Sequence, residues 1–250
     1  MKLSKITHLE VEGVLMKMKN KKNEDYSPPF GGLGGKKMND FATSLKAELS
    51  KGLPGTEVQW QMASSDRFVR NFPKVPGKDA RIAAVLILLY PEKGSVHTVF
   101  MQRPEYDGVH GGQISFPGGK QEQEDENTVQ TALREAYEET GIDPSKVKVI
   151  GTLTPLFIPV SNMIVTPVTG WADKKPLFNF RPEEVAFLID ADLKKLMNPS
   201  IVRTKPFEIR GELVKVKYFH YDDNIIWGAT AMILQELLAI IKRGGFFLPE

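Results

Sequence analysis

"NTVQTALREAYEETGI", residues 127–142, decides how the rest of the chain is read. Asn127 followed by Gln130 has the form of a capping box, in which side chains satisfy the backbone N–H groups that a helix start leaves unpaired. Gly141 and Pro144 supply the stop, so the spacing predicts a helix over 128–140. Val129, Ala132, Leu133 and Ala136 recur at i, i+3, i+4 and i+7, one stripe facing a core. Glu135, Glu138 and Glu139 lie elsewhere, on an arc about 100° wide at 100° per residue. The pattern predicts three carboxylates directed at one small volume.

A solvated acidic face would also explain such a charge run. Like charges four apart cost a helix only about 0.2–0.5 kcal/mol, so repulsion does not separate the two readings. The context does: "SFPGGK", residues 115–120, precedes the helix, and its glycine backbone can approach the acids without side-chain obstruction. Hard oxygen ligands suit Mg²⁺ or Mn²⁺, and magnesium commonly takes its remaining ligands from water and substrate phosphates. The cluster therefore points to phosphate chemistry.

Composition sets the bounds. The 250 residues are 41% hydrophobic and 26% charged, an ordinary globular balance. A formal net charge of +2 gives no reason to expect nucleic acid or an anionic membrane as partner. Without cysteine there is no disulfide, thiolate nucleophile or cysteine zinc site, which fits a reducing, cytoplasmic location. The longest apolar run, "AAVLILLY" at 83–90, is far short of the roughly 20 residues a spanning helix needs. The four histidines, at 8, 97, 110 and 220, show no metal-ligand spacing, and no Gly-x-Ser-x-Gly elbow is present.

Residues 1–37, with "MKNKKNEDYSPPFGGLGGKK", have the composition of a disordered leader, and "GGLGG" lacks the spacing of a phosphate loop. Gly34-Gly35-Lys36-Lys37-Met38 is what a purine-rich ribosome-binding segment ahead of a start codon would encode, so translation is expected to begin at Met38. Residues 38–250 are expected to form one domain. Phe41, Leu45 and Leu49 predict a short helix stopped by Gly52 and Pro54. "RIAAVLILLY" (81–90) reads as a strand buried on both faces, with "HTVFMQRP" its partner across a turn. Further strands are predicted at 147–158, 162–172 and 212–221, and a closing amphipathic helix at 229–243. The sum is an α/β or α+β fold, a mixed sheet with helices packed on it.

Residues 118–142 closely resemble the Nudix box: Gly, five residues, Glu, seven residues, then Arg-Glu-apolar-x-Glu-Glu-x-Gly-apolar. The second half matches throughout, with the small Ala136 at the apolar site after Glu135. In the first half one residue is inserted, since Gly119 stands 15 positions before Arg134 where the pattern has 14. The leading acid is then Glu124, Asp125 or Glu126, with Glu126 favoured by its distance to Arg134. The resemblance implies an α/β/α sandwich carrying the box as loop-helix-loop. It implies a hydrolase of nucleoside diphosphates linked to another group, with Mg²⁺ or Mn²⁺ as cofactor. Glu138 and Glu139 would bind metal with Gly118, Glu135 would join them or act as the base, and Arg134 would orient a box carboxylate.

"VFMQRPEYDGVHGGQISFPGG", residues 99–119, resembles the segment before the box in coenzyme A pyrophosphatases. Arg103, Gly112, Phe116 and Gly119 keep its spacing and are the implied substrate contacts. Gly108 stands where the second arginine belongs, which removes a guanidinium able to clamp phosphate. "LPGTEVQWQMA", "AAVLILLYP" and "IWGATAMIL" extend the resemblance over roughly residues 41–235. Coenzyme A or an acyl derivative is the expected substrate. ADP-ribose or another nucleotide sugar is the alternative, and a Nudix-like sensor without turnover the rival class. Expected partners are a small-molecule nucleotide and, as an open alternative, a second copy of the chain; neither nucleic acid nor a membrane is expected. Glu184 is an additional candidate acid, against the reading of Glu183 and Glu184 as helix-start acids. His110 is a weaker phosphate contact than Arg103. Trp171 and Trp227 are read as core or sheet aromatics rather than adenine-stacking groups.

Overall fold

The computed structural model describes residues 40–65, 75–105, 111–209 and 211–245. The leader reading, the Met38 start, Gly108 and His110 lie outside the described residues. The first helix, α1, spans Asp40–Ser50. Strand β1, Arg81–Glu92, turns directly into β2, Ser95–Gln102. Two short strands follow, β3 (Ile114–Ser115) and β4 (Gly118–Lys120), and then helix α2, Thr128–Thr140. After it come β5 (Lys148–Thr152), β6 (Leu156–Ile158), β7 (Met163–Trp171) and β8 (Phe187–Asp192). A three-stranded unit, β9 (Val202–Ile209), β10 (Glu212–Tyr221) and β11 (Asn224–Trp227), leads into the closing helix α3, Gly228–Gly244.

The larger sheet runs β3-β2-β1-β7-β5, with β4 also on β1, β6 on β7 and β8 on β2; the smaller runs β11-β10-β9. It is mixed: β1 pairs parallel to β7 from Arg81↔Met163 to Leu89↔Trp171 and antiparallel to β2. Alternation along β1 explains its unbroken apolar sequence. Ala84, Leu86, Leu88 and Tyr90 pack with Ala132 and Ala136 of α2, whereas Ala83, Ile87 and Leu89 pack with Leu45 of α1 and Leu237 and Ile241 of α3. Helices thus cover both faces, giving the α/β/α layering. Among the described residues no helix is long and apolar enough to cross a membrane.

Two expectations need correction, and one strand answers to none. The strand predicted over 147–158 is two strands, with a register shift between Val149 and Gly151. Leu153–Pro155 breaks it because the Thr154 N–H and hydroxyl turn inward to Glu236, at 3.2 and 2.5 Å, instead of to a neighbouring strand. Glu183 and Glu184 start no helix; they sit in a turn before β8, whose pairing with β2 (Phe100↔Ile189) fixes that segment as sheet. Strand β9 had no counterpart in the reading, since its first five residues are exposed and carry no apolar alternation.

Candidate active site

The site is built where β4 pairs with Ala83–Val85 near the start of β1 and the second half of α2 lies behind it. Phe116 is buried against Phe100, ring centroids 4.6 Å apart, and the Pro117 carbonyl accepts from Leu86 N–H at 2.8 Å, which anchors the turn into β4. Gly118 has φ +152°, and a Cβ there would fall 2.3 Å from the Ala84 carbonyl oxygen. At Gly119 a Cβ would fall 2.4 Å from the Glu135 carboxylate, so the missing side chain is what lets that carboxylate lie against the strand.

Helix α2 begins as its sequence requires. The Asn127 side chain accepts from Val129 N–H at 3.0 Å and Gln130 N–H at 3.1 Å. The Gln130 amide reaches back one residue further than a capping box needs, accepting from Glu126 N–H at 2.9 Å. Gly141, left-handed at φ 74°, closes the other end.

Arg134 organises the acidic face. Its Nε and Nη2 donate to the two Asp125 oxygens at 3.0 and 2.9 Å, Nη2 also to Glu135 at 3.2 Å and the Lys120 carbonyl at 2.9 Å, and Nη1 to Glu138 at 3.1 Å. The paired bonds hold the Asp125 carboxyl down at about 2, with a further contribution from Thr131 and the Glu122 N–H. The acid that meets Arg134 is therefore Asp125 and not the expected Glu126, whose carboxylate faces solvent and accepts from Gln130 at 3.1 Å. Counting forward from Gly119 finds Asp125; the inserted residue falls after it.

Glu139 is buried beneath β4. Its Oε2 accepts from Gly118 N–H at 2.7 Å, and Arg103 Nη2 stands 3.5 Å from Oε1 while donating to the Gly118 carbonyl at 3.1 Å. Burial pushes the Glu139 carboxyl up to about 7, against the pull of Arg103 and the Gly118 N–H. Burial also raises Glu135, with Arg134 opposing.

A cavity of about 1240 Å³ opens here, with Arg103, Gly118, Gly119, Glu135 and Glu139 on its wall. Phe116 lines it too, and Glu122, an acid the reading did not single out, stands at its edge. Gly112 does not line it; with φ +67° and its N–H on the Pro104 carbonyl at 3.0 Å, it shapes the loop that returns to β3. Glu138 is also off the wall, its side chain 47% exposed and paired with Arg134. The expected convergence of three carboxylates is thus reduced to two, and among the described residues no group of three acids or histidines stands ready for a metal. The physical reason is Arg134, which draws Glu138 aside. Glu184 pairs with Arg181 at 3.5 Å, outside the wall. Trp171 is fully buried 6.1 Å from Phe41, as expected of a core aromatic, but Trp227 lines the cavity, which its reading as a plain sheet aromatic did not include.

A divalent cation fits this donor set. Glu135 and Glu139 are hard oxygen ligands on the wall that Gly118 also lines, and burial, only partly offset by nearby positive charge, raises both carboxyls from their ordinary value.

Residues 80–230 match the NUDIX domain family. The chain belongs to the Nudix family. It is 38% identical over 159 residues to Nudix hydrolase 15, mitochondrial, of Arabidopsis thaliana, covering 61% of this chain and 55% of that protein. Against Nudix hydrolase 22, chloroplastic, from the same plant, identity is 36% over 168 residues, 64% and 55% of the two chains. A bacterial relative named Uncharacterized Nudix hydrolase NudL, from Photorhabdus laumondii, is 32% identical over 183 residues, 70% of this chain and 97% of its own. The chain spans about half the length of the two plant relatives. Within the Nudix domain, the box helix is α2 and the loop before it is the Gly118–Asp125 turn that Arg134 holds.

Proposed function

We propose that residues 38–250 form a metal-dependent Nudix hydrolase domain that cleaves the diphosphate of coenzyme A or an acyl derivative. The products are 3′,5′-ADP and 4′-phosphopantetheine, or its acyl form. One observation carries the reading: Arg103, from the segment that resembles coenzyme A pyrophosphatases, is fixed on the Gly118 carbonyl at the cavity wall beside Glu135 and Glu139. A guanidinium so placed meets a diphosphate oxygen with paired donors.

Glu139, Glu135 and the Gly118 carbonyl would hold Mg²⁺ or Mn²⁺, with Glu138 the further ligand that the family resemblance implies. Such an ion, when bound, neutralises the diphosphate and lowers the pKa of a coordinated water. Glu135, packed on Gly119, is within the same wall and accepts the proton of the attacking water as a phosphorus–oxygen anhydride bond breaks. Arg134 keeps Glu135 oriented by its 3.2 Å contact, itself fixed by Asp125. Arg103 stabilises charge on the departing phosphate. A chain without cysteine suits the reducing cytoplasm.

Gly108 favours a second reading, an ADP-ribose-like substrate, because it offers no second guanidinium for the 3′-phosphate. Incubation with Mg²⁺ or Mn²⁺ and a panel of coenzyme A, ADP-ribose, NADH and diadenosine polyphosphates, with products identified by mass, separates the cases. Fastest turnover of coenzyme A to 3′,5′-ADP is expected. Preference for ADP-ribose would replace the substrate, and no turnover of any member would make the domain a sensor.

A further inference from the structure

Among the described residues three cations line the cavity, Arg81, Arg103 and Lys120, and they are used unequally. Arg103 donates to the Gly118 carbonyl and stands 3.5 Å from Glu139. Arg81, the first residue of β1, is exposed and donates from Nη2 to the Ser161 carbonyl at 2.7 Å. Lys120, the last residue of β4, is exposed as well. Four acids share the wall with them. Glu139 meets Arg103, while Glu122 and Glu135 stand 3.9 and 3.2 Å from Arg134. The fourth, the exposed Glu208, makes no ion pair among the described residues. Within the described residues, then, no carboxylate stands at ion-pair distance from the Arg81 guanidinium or the Lys120 ammonium.

The sheet register sets these two cations side by side. Lys120 pairs with Ala83, and Arg81 precedes Ala83 by two, so alternation puts Arg81, Ala83 and Lys120 on one face. Met163, opposite Arg81 on β7, completes that face, and all four line the cavity. Diagonal neighbours on adjacent strands lie about 7–8 Å apart, close enough for two long basic side chains to share one anion. The bond to Ser161 uses one of the five guanidinium N–H groups and steadies the rest, and the ammonium adds three donors. The pair is separate from the candidate metal ligands. Glu135 packs on Gly119, so Lys120, the next residue along β4, points to the opposite side of the strand. Ala84 pairs with Gly119, and Arg81 lies three residues earlier, about 10 Å along β1. Long basic side chains span much of that distance, which suits a second phosphate on the ribose whose 5′ position carries the diphosphate. A base is recognised by neutral donors and acceptors, such as the amides of Gln113 and Asn162 on the same wall; two uncompensated cations select an anion.

We infer that Arg81 and Lys120 form a second anion subsite that holds the 3′-phosphate of coenzyme A, supplying from β1 and β4 the charge that Gly108 does not. This inference rests on the coenzyme A reading above. The test is the ratio of kcat/KM for coenzyme A over dephospho-coenzyme A, which differ only in that phosphate, with Mg²⁺ in the unaltered chain and in Arg81→Gln, Arg81→Lys and Lys120→Gln. The unaltered chain should prefer coenzyme A at least about tenfold, the scale of hydrogen bonds to a charged group. Arg81→Gln should lower that ratio about tenfold and Lys120→Gln about threefold, and Arg81→Lys, which keeps the charge but not the planar fork, should retain more of it than Arg81→Gln. Added salt should shrink the ratio in the unaltered chain. Calorimetry in EDTA with 3′,5′-ADP and 5′-AMP reads the same preference without turnover: 3′,5′-ADP should bind at least about tenfold tighter, and Arg81→Gln should erase most of the difference. Circular dichroism and melting check that the variants fold; should Arg81→Gln not fold, Lys120→Gln carries the comparison. Equal use of the two coenzymes, equal binding of the two nucleotides, or a ratio unmoved by Arg81→Gln and Lys120→Gln overturns the subsite and leaves the coenzyme A reading standing. An equal loss on both coenzymes does the same, because it would place the cations on the diphosphate. Turnover of ADP-ribose with neither coenzyme cleaved overturns both readings.

Discussion

Glu139 on α2 and Glu236 on α3 are buried carboxylates on opposite faces of the large sheet, and burial raises both. Their surroundings differ in how completely they are filled. Glu236 accepts from Gly55 N–H at 3.1 Å, Gln59 Nε2 at 2.8 Å, Thr154 N–H at 3.2 Å and the Thr154 hydroxyl at 2.5 Å. A carboxylate has about four acceptor sites, so Glu236 is saturated. Glu139 has the Gly118 N–H at 2.7 Å and a guanidinium at 3.5 Å, and the rest of its oxygen surface meets the cavity. Burial and a raised pKa mark both residues; open acceptor capacity at a cavity marks one. Glu236 ties α3 to the short helix Thr56–Gln59 and its N-cap Gly55 and to the Leu153–Pro155 break, whereas Glu139 is left with room for a cation.

The largest expected effect breaks the open member of the pair. Glu139→Gln should lower turnover at least about 10²-fold, the scale of losing one preorganised electrostatic group, while the melting temperature holds or rises because a poorly compensated buried charge is gone. Retained turnover at saturating metal would remove Glu139 from the reaction. The same substitution has a pH signature. With its carboxyl near 7 instead of the ordinary 4.5, the folded chain binds more protons than the unfolded chain between those values. Metal-free stability is therefore fully helped by this group below about 4.5 and falls as pH rises through about 7. Melting curves in EDTA from pH 4 to 8 should show that fall in the unaltered chain and a shallower one in Glu139→Gln, the Glu236 contribution remaining in both. Divalent metal should stabilise increasingly as pH rises, since it binds the ionised form.

Next in size is the saturated member. Glu236→Ala strands four donors, three of them buried, and should cost about 3 kcal/mol or more in urea unfolding, with turnover of the folded fraction within about threefold. A collapse of kcat without loss of stability would reverse the assignment of the two residues.

The contrast was only partly legible in the sequence. Helix 128–140 could be read to the residue because its determinants are local: Asn127, the stripe from Val129 to Ala136, and Gly141. Strand β1 announced its burial on both faces by an unbroken apolar run. The angular arc of Glu135, Glu138 and Glu139 was also sound, but spacing fixes Cβ directions and says nothing of which long side chain an arginine will draw away, and Arg134 draws Glu138. Strand β9 and the cavity role of Trp227 depend on contacts between distant segments, Phe207 with Trp227 above all, and no local pattern encodes them. Glu236 in "ILQELLAII" is the one acid of a helix whose face toward the sheet is apolar, and a lone buried acid demands partners that no local pattern names.

The smallest effects test the inserted residue of the box. Counted back from Arg134 the leading acid is Glu126; counted forward from Gly119 it is Asp125. Asp125 receives two bonds from Arg134, one from the Thr131 hydroxyl at 3.0 Å and one from Glu122 N–H at 2.9 Å, so it binds the loop to the helix. Asp125→Asn keeps the shape but loses the charge, and should cost about 2 kcal/mol and roughly tenfold in turnover as Arg134 loosens from Glu135. With its carboxyl held at about 2, this contribution is present above the ordinary value of 3.8 and is lost as pH falls toward 2. Glu126→Gln should stay within about 0.5 kcal/mol, since among the described residues its carboxylate bonds only the Gln130 amide, in a solvent-exposed contact. Urea unfolding of the two variants side by side gives the answer. If Glu126→Gln proves the costlier, the insertion lies before the acid, and the bonds that fix Arg134 beside the cavity have been assigned to the wrong carboxylate.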